Sequence, residues 1–409
     1  MTRNVKNTDV IIVGGGLVGA SMACALSGHG LSIAVIEAVP LRQYGQPSYD
    51  DRTLALSLAS SRIFEAIGLW PGVTAGVTPI LQINVSNQGH FGNARISARE
   101  LGVPALGYVS EGRLIGQSVA QHLPQCTDVD WHCPAQVTAI ECGADSVTVS
   151  VEGGQGFDAL RGHLLIGADG VNSTVRETLG LSTVDHDYHQ TAIIANVTPE
   201  KAHENRAFER FTGTGPLAVL PHVGNRCGVV WTVASDTADA VMAMDEDTFL
   251  ESLQQRFGYR LGALQHAGGR GAYPLKLSYA SDQYAQRGVV IGNAAHAIHP
   301  ISAQGFNLGL RDVAVLAELI VAAKREGEDI GALDLLARYQ NWRRPDHERI
   351  IQYTDTLVRI FAQPWLPLRM LSGLGLAAFD LAQPLKRALG RRTMGFGGRV
   401  PKLALGRPL

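Results

Sequence analysis

Cysteine is scarce in this chain and does not pair off. The five cysteines among 409 residues (Cys24, Cys126, Cys133, Cys142 and Cys227) form an odd set without metal-type spacing. That argues against a disulfide framework and predicts a reduced, cytoplasmic protein with no metal site. A charge imbalance is missing as well. Lys and Arg number 35 against 37 Asp and Glu, a net −2, which predicts no affinity for nucleic acid. No apolar leader precedes the first strand-like run at residue 9, and there is no long internal repeat or low-complexity tract. Long apolar runs are absent too. The most apolar late segment, Leu357 to Leu381, is broken by Pro364, Pro367 and Gly373 and falls short of bilayer length. What remains is a globular chain, 45% apolar and long enough for two domains.

What the chain does have is glycine in three telling places. Asp9 to Val13 reads as a short buried parallel strand. Gly14-x-Gly16-x-x-Gly19 follows at once, then an Ala- and Leu-rich helix from Leu17 to Ser27, then an apolar run from Ser32 to Ile36 that ends on Glu37. Each part has a chemical reason. Gly14 makes the turn, Gly16 lets backbone approach a pyrophosphate, and Gly19 lets helix pack on strand. Leu17 and Val18 begin the helix, whose free N–H groups favour an anion. Glu37 is placed to accept the ribose hydroxyls of an adenosine, and its charge argues against a 2′-phosphate. The pattern therefore predicts FAD or NAD rather than NADP.

The second stretch follows the strand-like His163 to Ile166 and runs Gly167-Ala168-Asp169-Gly170, with Ser173 and Arg176 on the next turns. Asp169 and Gly170 thus sit at a strand end, where α/β sheets present ligands. The third follows Arg287 to Ile291. It runs Gly292-Asn293-Ala294-Ala295-His296, then His299-Pro300 and Gly305-Phe306-Asn307 before an apolar helix, whose N-terminal dipole suits an anionic group.

In this order the three stretches resemble the fingerprints of the class A flavoprotein monooxygenases, aromatic hydroxylases built like p-hydroxybenzoate hydroxylase. The resemblance covers the chain to about residue 345. It implies FAD, with Asp169 and Asn293 at the ribityl and ribose region, Pro300 beside the isoalloxazine, and the Gly305-Phe306-Asn307 segment at the flavin pyrimidine edge. It also implies an arginine after the second strand at Arg52, a polar residue opening a later helix at Arg113, and an adenine-side backbone contact at Val137. One position departs from the family: Gly292-Asn293 stands where Gly-Asp is usual. Asparagine keeps a carbonyl acceptor but loses the charge, so FAD binding is expected to survive in weakened form. With strings such as Arg206-Ala207-Phe208-Glu209-Arg210-Phe211-Thr212 and Gln304-Gly305-Phe306-Asn307, the chain is similar to the 2-polyprenyl-6-methoxyphenol hydroxylase branch of ubiquinone biosynthesis.

The expected fold class is α/β. A discontinuous Rossmann-like FAD-binding domain is assigned to residues 1–80, 105–180 and 275–345. A substrate domain on a mixed or antiparallel sheet takes residues 81–104 and 181–274, with a helix over Asp245 to Phe257. A C-terminal helical segment with a basic tail takes residues 346–409. The resemblance implies hydroxylation of a polyprenyl-methoxyphenol with O₂ through a flavin C4a-hydroperoxide. NAD(P)H or another donor serves as transient reductant, since only one nucleotide fold is evident. Another aromatic substrate or ring position, a flavin-dependent reductase of the same superfold, and a non-catalytic FAD-stabilised scaffold stay open. No residue stands out as catalytic. His296, His299, Arg210 and Tyr273 are candidates, and for each a structural role competes. The tail carries Lys386, Arg387, Arg391, Arg392, Arg399, Lys402 and Arg407 with no acid after Asp380. It reads either as a solvated, partly disordered extension or as a peripheral contact with the inner face of a membrane or with a biosynthetic complex.

Overall fold

The computed structural model describes residues 4–39, 53–89, 92–153, 156–298, 304–362 and 382–409. Along the chain, strand β1 (Val10–Val13) leads into helix α1 (Leu17–Leu26) and strand β2 (Ile33–Ile36). Strand β3 (Thr53–Ser57) continues into α2 (Leu58–Ala66), and β4 (Val129–His132) and β5 (Leu164–Gly167) precede the short α3 (Thr174–Thr178). Then come β6 (Thr183–Pro199), β7 (Arg206–Thr212), β8 (Gly215–His222) and β9 (Arg226–Ala234). Helix α4 (Glu246–Phe257), β10 (Gly271–Ala280) and β11 (Gly288–Val290) follow. Helices α5 (Gln304–Glu326), α6 (Leu333–Ala362) and α7 (Gln383–Thr393) complete the set.

Two sheets organise the molecule. In the first, β11, β5, β1, β2 and β4 lie side by side in parallel, with Tyr284–Ala285 antiparallel at the edge. β1, β2 and β5 are buried throughout, so their unbroken apolar runs are what a sheet covered on both faces requires. α1 and α5 cover one face, joined by α2 and by α6 residues such as Leu336 and Tyr339 in one apolar cluster.

The second sheet has β10, β6, β9, β8 and β7 in sequence, then Gln82–Asn87 and Asn93–Ser97. All neighbours are antiparallel except β7 and Gln82–Asn87, which run parallel. Its alternation is explicit. Ile193, Ala195, Phe208, Leu217, Val219, Val229 and Trp231 face α4, which buries Phe249, Leu253 and Phe257 against them. The intervening residues face the other way and line a cavity.

Several boundaries differ from the sequence reading. Strand β6 runs unbroken for 17 residues. Its outer half carries the polar run Asp185-His186-Asp187, which hides the period. His296–Ala297, within the third glycine stretch, pairs with β10, so that stretch reaches into the second sheet. The expected boundary at residue 345 falls inside the continuous helix α6. The tail is not a solvated extension. α7 is followed by residues that pack back, with Met394, Leu403 and Ala404 buried.

Candidate active site

The first loop is built by exclusion of side chains. Gly14 has φ +99°, and a Cβ there would sit 2.4 Å from the Ala168 carbonyl oxygen; one on Gly19 would sit 1.9 Å from the Gly14 oxygen. Both positions must therefore be glycine for loop, helix and second stretch to close on one another. Gly16 is the N-cap of α1. No side chain caps it, and no acid lies in the first turn. Its amide end, with Gly16, Leu17 and Val18, lines the cavity. Glu37 directly follows β2 and is buried, accepting from the Gly15 N–H at 2.6 Å and the Val39 N–H at 2.8 Å. A carboxylate has about four acceptor sites, so this anchoring fixes Glu37 without exhausting it.

The second loop is tied internally and to the third. Asp169 accepts from the Ser173 hydroxyl and, at 3.1 Å, from the Val175 N–H. Ser173 caps α3 by accepting from the Arg176 N–H at 2.9 Å. Arg176 donates to the Ala294 carbonyl and to the Val171 carbonyl, both at 2.8 Å. One guanidinium thus holds two loops together, while Gly170, Val171 and Asn172 present themselves to the cavity. In the third loop Gly292 has φ +58°, and a Cβ on it would lie 3.0 Å from Val18. Asn293, Gly305 and Phe306 line the cavity.

Beneath the third loop lies a buried charge network that the sequence reading missed. Asp312 is fully buried in α5. It accepts from the Gly292 N–H (3.2 Å), His296 Nε2 (2.6 Å), Arg343 Nε (2.7 Å) and His347 Nε2 (2.7 Å). Arg343 and Arg311 both pair with Asp346, at 2.7 and 2.8 Å. Burial works against the Asp312 charge, but these partners outweigh it and hold the carboxyl well below its ordinary value. Burial pushes His347 down to about 4, so it is a neutral donor at neutral pH. The visible signal was an Arg-Asp pair, Arg311-Asp312, inside the otherwise apolar run from Leu308 to Ala317.

The expected site residues divide accordingly. Gly16, Leu17, Val18, Gly170, Asn293, Gly305, Phe306 and Tyr273 line the cavity. Two catalytic candidates do not. His296 is turned to Asp312, and Arg210 donates to the Arg256 carbonyl at 2.7 Å at the end of α4. Both have structural work. The Asn307 side chain faces the protein. It accepts from the Ser57 N–H and the Ser60 hydroxyl at 2.7 Å and donates to the Ala55 carbonyl at 2.8 Å, which staples α5 to β3 and α2. Arg113 pairs with Glu111, and Val137 packs beside the apolar cluster of Val147, Val149 and Val151. Arg52, His299 and Pro300 lie outside the described residues. Two groups of metal-type donors occur among the described residues. Cys24, His122 and Cys126, which do not line the cavity, come within 4.8 Å of one another despite their sequence separation. The other group is His296, Asp312 and His347, where Arg343 already supplies the cation.

The cavity has a volume of about 1170 Å³ and two unlike walls. The glycine loops form one. The sheet forms the other, with Ala192, Ile194, Ala207, Ala218, Leu220 and Val230, an apolar surface suited to a ring and hydrocarbon. The glycine cradle, the uncapped helix end and the anchored Glu37 fit the pyrophosphate and adenosine of FAD. The chemistry needed for the rest lies along one continuous space.

The comparisons agree with this geometry. The model of the FAD binding domain family matches residues 7–354. The chain is 39% identical to ubiquinone hydroxylase UbiL of Rhodospirillum rubrum, covering 99% of this chain and 94% of that protein. It is 32% identical to 3-demethoxyubiquinol 3-hydroxylase of Escherichia coli, covering 95% and 98%. Among solved structures, p-nitrophenol 4-monooxygenase PnpA of Pseudomonas putida superposes with a TM-score of 0.79 over 97% of this chain and all of that one, at 19% identity, a likeness of fold. By domain match, near-full-length relatives and the closure of three glycine loops on one cavity, the chain belongs to the FAD-binding family of flavin-dependent monooxygenases.

Proposed function

We propose that the protein hydroxylates the ring of a polyprenyl-methoxyphenol intermediate in ubiquinone biosynthesis, with O₂ and two electrons from NAD(P)H. One oxygen atom enters the ring and the other leaves as water. The observation that carries this reading is the pairing of an FAD cradle with an apolar sheet wall across one cavity. The names of the near-full-length relatives supply the substrate class. FAD, when bound, supplies electron transfer and oxygen activation. The protein's own part is to hold it at Gly14, Gly16, Gly19, Glu37 and Asn293, to keep water from the ring with the aliphatic wall, and to fix the ring's orientation. The test is deletion of the gene with quinone intermediates read by mass spectrometry. A polyprenyl-methoxyphenol lacking one hydroxyl should accumulate, and restored expression should clear it. An unchanged quinone pool would overturn the assignment.

A substrate with a polyprenyl chain resides in a bilayer. Among the described residues no helix is long and apolar enough to cross one. The reading favoured here is therefore peripheral contact through α7. Leu385 is 59% exposed, and Arg387, Arg391 and Arg392 are exposed beside it, the composition that binds anionic lipid surfaces. Reversing these three arginines to glutamate should abolish sedimentation with phosphatidylglycerol vesicles, and undiminished sedimentation would remove α7 from the account.

A further inference from the structure

Among the residues that the second sheet turns toward the cavity on its central strands β7, β8 and β9, one is acidic. Glu209 lies on β7 between the cavity-lining Ala207 and the buried Phe211, and it lines the cavity itself. Its neighbours on the adjacent strands are Ala218 of β8 and Val85 of Gln82–Asn87, which offer no side-chain hydrogen bond. Its Oε1 is sealed from solvent, and no donor reaches it among the described residues. A carboxylate oxygen sealed from solvent without a donor is destabilising relative to a satisfied one. Such a group on an aliphatic wall is a receptor for something that donates a hydrogen bond. Its neighbours on the strand show what a purely structural polar residue does here. Arg210, one position on, faces away and is engaged with the Arg256 carbonyl.

We propose that Glu209 is the group that receives the phenol hydroxyl of the bound ring and takes its proton. This rests on the phenol substrate proposed above. The phenol O–H bond breaks, the proton moves to a Glu209 carboxylate oxygen, and the electron pair stays on the phenol oxygen. Delocalisation of that pair enriches the ortho and para carbons, which are the positions an electrophilic oxygen attacks. As the ring C–O bond forms, the C–H bond at that carbon breaks and its proton leaves with the second oxygen atom, which departs as water. The resulting product phenoxide takes its proton back from Glu209, and the carboxylate is regenerated. Glu209 also fixes which edge of the ring faces the cofactor wall, because the apolar wall around it offers no second acceptor.

The group has the right acidity for the task. Burial among apolar neighbours pushes the Glu209 carboxyl up to about 7, so it is a proton acceptor poised near neutral pH. The other titratable group that feels its charge is Tyr353 of α6, itself pushed up to about 12 by burial first and by Glu209 second. It therefore stays neutral across the relevant range. The facing residues of β8 and of the Gln82–Asn87 strand, Ala218 and Val85, do not titrate.

The experiment uses FAD-loaded full-length enzyme, NADPH, and 2-methoxyphenol bearing a geranyl chain at the 6-position, with the O-methyl ether of the same compound as control. Wild type should hydroxylate the phenol, with kcat rising through about pH 7. It should bind the phenol about tenfold or more tightly than the ether above that pH, as a hydrogen bond to a charged group predicts. Glu209→Gln should lose about 10- to 100-fold in kcat and lose the limb near pH 7. It should also bind phenol and ether within about threefold of each other, while NADPH oxidation continues with H₂O₂ as its product. Glu209→Asp should restore the pH limb in part. A Glu209→Gln enzyme that keeps the wild-type rate, pH limb and phenol preference overturns the role of Glu209 and leaves the hydroxylase assignment standing. A wild type that puts no oxygen into the phenol overturns both.

Discussion

Asn293 is the residue at which this chain departs from the pattern it resembles, and its surroundings show what the departure costs. Asn293 lines the cavity, whereas the charge that stabilises the loop comes from Asp312 beneath it, through the Gly292 N–H and His296. The loop's structure thus rests on Asp312 rather than on the side chain at 293, so losing the acid at 293 does not unfold the loop. Asn293→Ala should weaken FAD by about 3- to 10-fold, the worth of one neutral hydrogen bond. Asn293→Asp should tighten it by a similar factor through a charge-assisted one. Recovery of quenched flavin fluorescence on dilution measures both, and equal affinities in all three proteins would remove Asn293 from the cofactor site. At this scale the sequence is most legible where backbone geometry dictates residue type. Gly14 and Gly19 are required by close approaches of 2.4 and 1.9 Å. It is least legible where a side chain has two plausible directions. His296 and Asn307 carry familiar motif positions yet turn inward, because Asp312 in one case and the Ser57 N–H, Ser60 and the Ala55 carbonyl in the other offer buried partners.

Helix α5 shows why a motif reading stops short of the site's foundations. Its N-terminal turn brings Gly305 and Phe306 to the cavity, which the spacing of the third glycine stretch made readable. About two turns deeper, Asp312 meets Arg343 and His347 from α6, about thirty residues on, and no local pattern announces that pairing. The same holds for Glu209, whose cavity-facing direction follows only once β7 is placed between β8 and the Gln82–Asn87 strand. The consequence for α5 is a pH dependence whose sign can be worked out. His347 has a native value near 4 against about 6.5 unfolded. Between those values the unfolded chain binds a proton that the native protein refuses, so stability falls as pH drops from about 6.5 to 4. The integrated loss is on the order of 3 kcal/mol. Asp312, held below its ordinary value, adds a loss that begins only below about pH 4. His347→Asn should therefore flatten the decline in Tm between pH 6.5 and 4, at the expense of a lower Tm at pH 7.5. Asp312→Asn, which leaves the buried Arg343 with half its countercharge, should cost about 3–5 kcal/mol at neutral pH and release FAD. A decline in Tm of equal slope with and without His347 would show that the acid limb arises elsewhere.

The segment after α7 folds back onto α2, α5 and α6. After α7 the Ala59 N–H donates to the Met394 carbonyl at 2.9 Å, and the backbone N–H of Lys402 donates to Glu318 at 2.7 Å. The Trp342 indole donates to the Arg399 carbonyl at 3.0 Å while the Arg399 guanidinium lies over its ring. Lys386, one of the seven basic residues, is buried against Glu100 at 3.2 Å. Composition alone, a basic stretch with no acid, could not separate a solvated tail from a docked one, because the partners Glu100, Glu318 and Trp342 lie elsewhere in the chain. The docking matters for the cofactor. Met394 and Leu403 pack near or against α2, and α2 is held through Ser60 to Asn307 at the mouth of α5. Removing residues 383–409 strips two large buried side chains worth about 1.5–3 kcal/mol each and uncovers α2. The truncated protein should therefore melt several degrees lower and retain FAD poorly. The Arg387→Glu, Arg391→Glu, Arg392→Glu triple variant, altering exposed groups only, should melt within about 2 °C of wild type, since surface substitutions away from buried features stay within ±0.5 kcal/mol. Thermal melts followed by flavin fluorescence compare the three proteins directly. A truncated form with wild-type Tm and full FAD would mean that the tail contributes nothing to holding α2 in place. A triple variant that melts with the truncated form would mean that the arginines, and not the buried side chains, hold the tail down.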